Sequence, residues 1–312
     1  MNGAPIVVLG GSGFVGRHLV AQLAAGGHRI IVPTRHRERA RYLILLPTVD
    51  VVECDVHDPV VLASLVRGAA AAINLVGILN EARRGDFVRV HVELPRKLVA
   101  ACRAAAVPRL LHMSALNADP QGPSAYLRSK GEGEALVAAS PLQWTIFEPS
   151  IVVGPEDSFL NLFAKLQRLL PVIALASAEA RFQPVGVDDV AAAYARALAD
   201  DATHERRYPL CGPNVYTLRQ LVAYVGELTG FNRPIVALGP GLAKLQAIVL
   251  ERLPGKLMSR DNLSSMQRDS VCDCPFPPLL GGPPEALEAI APEYIAPARK
   301  TRYDRLRSRR GG

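Results

Sequence analysis

Tyr126 and Lys130 stand four residues apart in Tyr126-Leu127-Arg128-Ser129-Lys130. On a helix that spacing puts both side chains on one face. A phenol beside an ammonium is an acid–base pair: the cation lowers the phenol's pKa, and the phenol gives or takes a proton. Ser114, upstream of this pair, can hydrogen-bond the oxygen of a substrate carbonyl. Ser114, Tyr126 and Lys130 are therefore the candidate catalytic set, suited to an oxidoreductase or epimerase acting on a small molecule. The plain alternative is an exposed tyrosine–lysine pair on a helix surface.

Such chemistry needs a hydride carrier, and the chain opens with a place for one. Gly10-Gly11-Ser12-Gly13-Phe14-Val15-Gly16 follows a short apolar run and leads into a helical pattern. Glycines at 10, 13 and 16 allow a tight turn and a close backbone approach to a pyrophosphate, whose charge meets free N–H groups at a helix N-terminus. Gly10, Ser12, Gly13, Phe14, Val15 and Gly16 are the expected diphosphate contacts. The second strand runs into Thr34-Arg35-His36-Arg37, with no acid before Glu38. An acid there would take the ribose hydroxyl of NAD(H), whereas Arg35 suits a 2′-phosphate, so NADP(H) is expected over NAD(H). Asp55 and Val56 follow the third strand and are expected at the adenine. Leu75, Val76 and Gly77 end the fourth and are expected under the cofactor's middle. Tyr126 and Lys130 complete that list on the nicotinamide side.

Strands and helices alternate through the first half. Strands are predicted over Ile6–Leu9, Arg29–Thr34, Val49–Cys54, Ala70–Val76, Arg109–Met113 and Gln143–Glu148. Helices are predicted over Phe14–Ala25, Phe87–Ala106 and Ser124–Ala139. That rhythm implies an α/β fold, a Rossmann doubly wound parallel sheet. It changes after about residue 150. A smaller C-terminal α/β lobe is expected over 151–298, with the chain returning in part to the sheet. It holds a helix over Thr217–Leu228, opened by a capping box from Thr217 to Gln220 and closed by Gly230. The segment Gly241–Leu253 has helical period and is expected to pack on the core, the alternative being that it presents its apolar face to a membrane or partner. Residues 274–284 read as an irregular, proline-rich connector.

The glycine loop and the Tyr-x-x-x-Lys pair resemble the short-chain dehydrogenase/reductase superfamily over roughly residues 4 to 230. Narrower phrases are similar to its atypical branch, which holds the NAD(P)H-binding accessory subunit of respiratory complex I and bacterial relatives. These are HMSALNA (112–118), YLRSKGEGE (126–134), EPSIVVGPEDSFLN (148–161) and FQPVGVDDVA (182–191). The resemblance implies that Pro149, Ser150 and Ile151 contact the nicotinamide end. It also implies two functional classes: a catalyst using Ser-Tyr-Lys, or a nucleotide-binding structural or assembly protein of a respiratory complex with little turnover. Many extended members carry Asn where His91 stands, so a water relay at that position is not expected.

The net charge of +7 is concentrated at one end. Arg299–Arg310 holds seven cations against Asp304, leaving the body near neutral. That distribution argues for a tail partner, either a respiratory complex or an anionic membrane surface, and against nucleic-acid binding. No apolar run is long enough to span a bilayer and no leader pattern opens the chain, which points to a cytoplasmic protein, peripheral at a membrane's inner face. Five scattered cysteines read as free thiols, and no metal site is expected from the lone Cys272-Asp273-Cys274.

Overall fold

The computed structural model describes residues 3–252 and 258–296. The expected tail, 299–312, and the end of the Gly241–Leu253 segment lie outside the described residues. Seven parallel strands form the central sheet: β1 (Ile6–Leu9), β2 (Ile30–Thr34), β3 (Val49–Glu53), β4 (Ala71–Asn74), β5 (Arg109–Met113), β6 (Gln143–Pro149) and β7 (Arg206–Leu210). Their spatial order is β7-β6-β5-β4-β1-β2-β3. The chain order reverses between β1 and β4, the point at which folds of this kind bind ligands at the strands' C-terminal ends.

Among the described residues the ten longer helices are α1 (Phe14–Ala25), α2 (Pro59–Val66), α3 (Leu94–Ala104), α4 (Ala125–Ala138), α5 (Leu160–Leu169), α6 (Val187–Ala199), α7 (Leu218–Thr229), α8 (Pro240–Leu250), α9 (Arg260–Ser265) and α10 (Leu287–Ile295). Strands such as Ile-Val-Val-Leu in β1 are apolar throughout because both sheet faces are covered. One face buries Val8, Leu19, Ile30, Leu111 and Tyr194 beneath α1 and α6. The other buries Val7, Leu62, Leu98, Leu110 and Ile146 beneath α2 and α3. A third cluster, with Leu160, Leu175, Leu221 and Ala291, is the core of the smaller lobe. Short strand pairs supplement it, among them Ile173–Leu175 with Ile235–Ala237. The capping box at Thr217 and Gln220 forms, and Gly230 closes α7 at φ 76°.

Three expectations change. The helix foreseen over Phe87–Ala106 is broken: Asp86–Val88 leads into a π-helical turn, Arg89–Glu93, before α3 begins. Such a turn inserts one residue and rotates the positions after it by about 100° relative to an unbroken α-helix, and π-turns recur at functional sites. The cysteines are not all free, because Cys211 and Cys272 form a disulfide across 61 residues. The near neighbour Cys274 stays exposed and unpaired. Finally, α8 buries its small residues, Ala243 and Ala247, and leaves Leu242, Leu245 and Val249 exposed. Its large apolar side chains are not core.

Candidate functional site

The glycine loop leaves β1 and turns into α1 at this reversal point. Gly10 adopts φ +78°, a left-handed backbone that glycine takes without penalty, and a Cβ there would lie 3.0 Å from the Leu75 carbonyl carbon. Leu75, Val76 and Gly77 therefore run directly beside the turn. A Cβ on Gly16 would lie 2.2 Å from Gly10 O, so the loop closes only with glycine there. Gly13 is the N-cap of α1. No side chain caps this helix end and no acid lies in its first turn. Gly13 is exposed. These are the properties of an anion cradle, and the chain here fits a dinucleotide diphosphate. The Tyr42 hydroxyl bonds Ser12 O at 2.7 Å, and Arg17 stacks over the Tyr42 ring while pairing with Glu156 at 3.0 Å. Sequence reading missed this buttress, whose members are far apart in the chain.

At the end of β2, Arg35, Arg37 and Arg39 are all exposed, and among the described residues none has an ion-pair partner. Glu53 ends β3 and accepts from Arg37 N at 2.9 Å, while Glu38 pairs with Arg41. Asp55 is exposed and turns back on its own loop, accepting from His57 N at 3.0 Å, with Val56 half-buried beside it. Arg35 is close enough to help lower the His57 pKa, though burial is the main cause. The end of β2 thus carries exposed, unpaired arginines among the described residues, with the Glu53 and Asp55 carboxylates turned onto backbone N–H groups nearby.

The opposite end is built on α4. Ser124 caps that helix, accepting from Leu127 N, and the Asp261 carboxylate accepts from Ala125 N and Tyr126 N at 2.7 and 3.0 Å. Two glycines let the helix sit close: a Cβ on Gly133 would lie 1.9 Å from His91 O, and one on Gly131 2.6 Å from Asp119. Tyr126 is half-buried against Phe87 and His91 at ring-centroid distances of 5.9 and 5.6 Å. Burial pushes its phenol up to about 12. The expected lowering by Lys130 is not found: burial alone sets the shift, and Lys130 is itself buried and directs Nζ at Met113 O, 2.8 Å away. Burial brings Lys130 down to about 8, against an opposing pull from Glu134. The Lys130 ammonium also borders Gly77, whose Cβ would lie 3.7 Å from Nζ.

The π-turn explains His91. It directs the buried ring between helix and loop, where Nε2 accepts from Ile78 N at 3.1 Å and Nδ1 meets Ser129 Oγ at 2.9 Å. Burial, with Lys130 adding to it, drives the imidazole pKa far down. His91 is a neutral brace for the loop after β4, and it supports the helix that carries Tyr126.

Ser114 is buried at the end of β5, and its hydroxyl donates to Glu134 Oε2 at 2.6 Å. Glu134 lies one turn beyond Lys130 on α4. Its other oxygen accepts from Arg207 Nε at 2.7 Å. Burial and the Glu134 carboxylate push the neighbouring Glu148 up to about 7. Sequence reading named neither Glu134 nor Arg207. The only local signal was a third position, after 126 and 130, on one face of the helix. Pro149 ends β6, buried. Ser150 bonds Ser270 O at 2.7 Å, and Ile151 packs into the lobe's core. The site therefore draws on the Rossmann sheet and on a segment, 259–272, returning from the lobe.

A family model described as NAD(P)H-binding matches residues 10–201. A mouse protein, "NADH dehydrogenase (ubiquinone) 1 alpha subcomplex subunit 9, mitochondrial", is 34% identical over 73% of this chain and 62% of its own length. A ceramide reductase from Caulobacter vibrioides is 34% identical over 60% of this chain and 58% of its own. The chain thus spans less than two thirds of either relative. A nucleoside-diphosphate-sugar epimerase structure from Staphylococcus aureus superposes with TM-score 0.73 at 17% identity, covering 91% of this chain and 98% of that one.

Proposed function

The chain belongs to the NAD(P)H-binding family, and on that premise we propose that it holds NADP(H) in preference to NAD(H), with the 2′-phosphate on Arg35. The observation that carries this reading is the pairing of an uncapped, acid-free glycine cradle with unpartnered arginines at the end of β2. Gly10, Ser12, Gly13, Phe14, Val15 and Gly16 would hold the diphosphate. Asp55 and Val56 would border the adenine, Leu75, Val76 and Gly77 the middle, and Pro149 and Ile151 the nicotinamide end. Replacing Arg35 by Ala tests the preference. A lost charged contact costs about 1.5–3 kcal/mol, so NADPH affinity should fall at least ~10-fold while NADH affinity holds. Equal affinities for the two nucleotides in the wild type would defeat the reading.

The bound nucleotide would supply a hydride to a small-molecule carbonyl. Tyr126, its phenol protonated at neutral pH, would donate the proton to the carbonyl oxygen. Lys130 would hold the nicotinamide ribose and carry a positive charge close to Tyr126. Ser114 would have to turn from Glu134 to reach substrate. That the Caulobacter relative is a ceramide reductase supports a reductase reading.

Lys130 also gives the site a pH dependence. Burial lowers its pKa to about 8, so it is cationic below that value and neutral above. NADPH binding should therefore be level near pH 6–7 and weaken several-fold as pH rises through about 8. In Lys130→Met the affinity should be lower throughout, and this inflection should be absent. Calorimetric titration across that range checks it.

A second reading, a nucleotide-holding structural or assembly protein of a respiratory complex, has its own support. Ser114 is committed to Glu134 and Lys130 to Met113 O, and the mouse relative is named as a subunit of a respiratory dehydrogenase. In that reading the same residues hold the nucleotide and turnover is absent.

A further inference from the structure

Exposed apolar side chains are not scattered evenly over this protein. Of sixteen large apolar residues exposed among the described residues, eight come from two short stretches, 169–172 and 231–249. The parallel pairing of Ile173–Leu175 with Ile235–Ala237 brings those stretches together. Gln246 Nε2 adds a bond to Ala174 O at 2.8 Å and fixes α8 across them. Because α8 turns Ala243 and Ala247 inward, Leu242, Leu245 and Val249 project outward at 60%, 57% and 51% exposure. Beside them an apolar groove of about 310 Å³ runs between α8 and Ala174. A surface of this kind normally marks an interaction site.

Its charge says what kind. The stretches 160–175 and 231–252 contain Lys165, Arg168, Arg233, Lys244 and Arg252 against one acid, Glu251. That acid is bonded to Arg260 at 2.8 Å. Lys165, Arg168, Lys244 and Arg252 are exposed and, among the described residues, make no ion pair. Aliphatic side chains project from a short helix whose stretch carries Lys244 and Arg252, and Lys165 and Arg168 precede the exposed 169–172 segment. Protein-interface cores favour aromatic residues and methionine, and here Phe231 is the one aromatic among the eight. Aliphatic insertion beneath a cationic fringe is the pattern of an interfacial helix on anionic lipid.

We propose that α8 and the adjoining 169–172 and 231–238 segments form a docking face for an anionic lipid bilayer, with Leu242, Leu245 and Val249 entering the acyl boundary. No helix among the described residues is long and apolar enough to cross a membrane, so attachment here is peripheral. The face shares no residue with the nucleotide cradle, so it stands or falls independently of cofactor choice.

Flotation of the full chain with phosphatidylcholine vesicles, with and without phosphatidylglycerol, tests it. The wild type should float with the anionic vesicles only. Leu242→Gln/Leu245→Gln/Val249→Gln should reduce partitioning at least ~10-fold. The reversal Lys165→Glu/Lys244→Glu/Arg252→Glu should reduce it comparably at low salt, and provides a second route if the first variant folds poorly. A chain ending at residue 298 separates the face from the basic tail and should still float. A wild type that stays in solution, variants that float like the wild type, or a chain ending at 298 that no longer floats would overturn the proposal. So would a wild-type dimer that the first variant converts to monomer, because the face would then cover a second copy of the chain.

Discussion

Gly13→Val should leave the chain folded and abolish nucleotide binding. Gly13 sits at φ −79° and ψ −176°, a backbone that any residue adopts. The one atom near its missing Cβ is Gly10 O, at 3.1 Å. A valine there meets little protein. Its methyl groups project instead into the space where the α1 N-terminus opens, between the uncapped N–H groups and a diphosphate. Losing two charged hydrogen bonds, at about 1.5–3 kcal/mol each, weakens binding by on the order of 10²-fold or more. Gly16 cannot serve in its place: a Cβ 2.2 Å from Gly10 O would break the loop itself, so binding and folding would be lost together. Circular dichroism and nucleotide titration of Gly13→Val check the expectation. A folded variant that binds with wild-type affinity would place the diphosphate elsewhere.

Tyr126→Phe should cost at least ~10²-fold in rate and leave nucleotide binding nearly unchanged. The phenol stands among Phe87 and His91, and burial holds its pKa at about 12, so at neutral pH it is a proton donor rather than a base. Removing one hydroxyl leaves that packing intact. Hydride transfer from NADPH over carbonyl substrates of the lipid, steroid, quinone and sugar-nucleotide classes is the assay. A wild type that turns over at a rate independent of Tyr126 would remove the phenol from the chemistry. A wild type with no turnover beside tight binding would favour the structural reading instead.

The two sites differ in how much of them the sequence could reveal. The cradle is local: Gly10 to Gly16 lie within one strand–turn–helix unit, and β1, α1 and β5 fall where the apolar patterns put them. The environment of Tyr126 is not local. Asp261 caps α4 from 136 residues away, Arg207 reaches Glu134 from 73, and the Cys211–Cys272 disulfide closes 61. No periodicity encodes such contacts. The π-turn at Arg89–Glu93 was hidden differently: apolar residues lie on both sides of it, so the segment reads as one helix, and nothing in the local sequence marks the inserted residue. In α8 the period was right and the facing was not. Leucines usually mark a buried stripe, but here Ala243 and Ala247 allow the closer approach and the leucines are left outside.

The central claim is that this chain holds NADP(H) at the C-terminal ends of β1 and β4. Calorimetric titration of the wild type with NADPH and NADH, at one fixed ionic strength, tests it most directly. Saturable one-site binding is predicted, with NADPH at least ~10-fold tighter, the scale of one charged contact to the 2′-phosphate. Absence of saturable binding by either nucleotide would contradict the account.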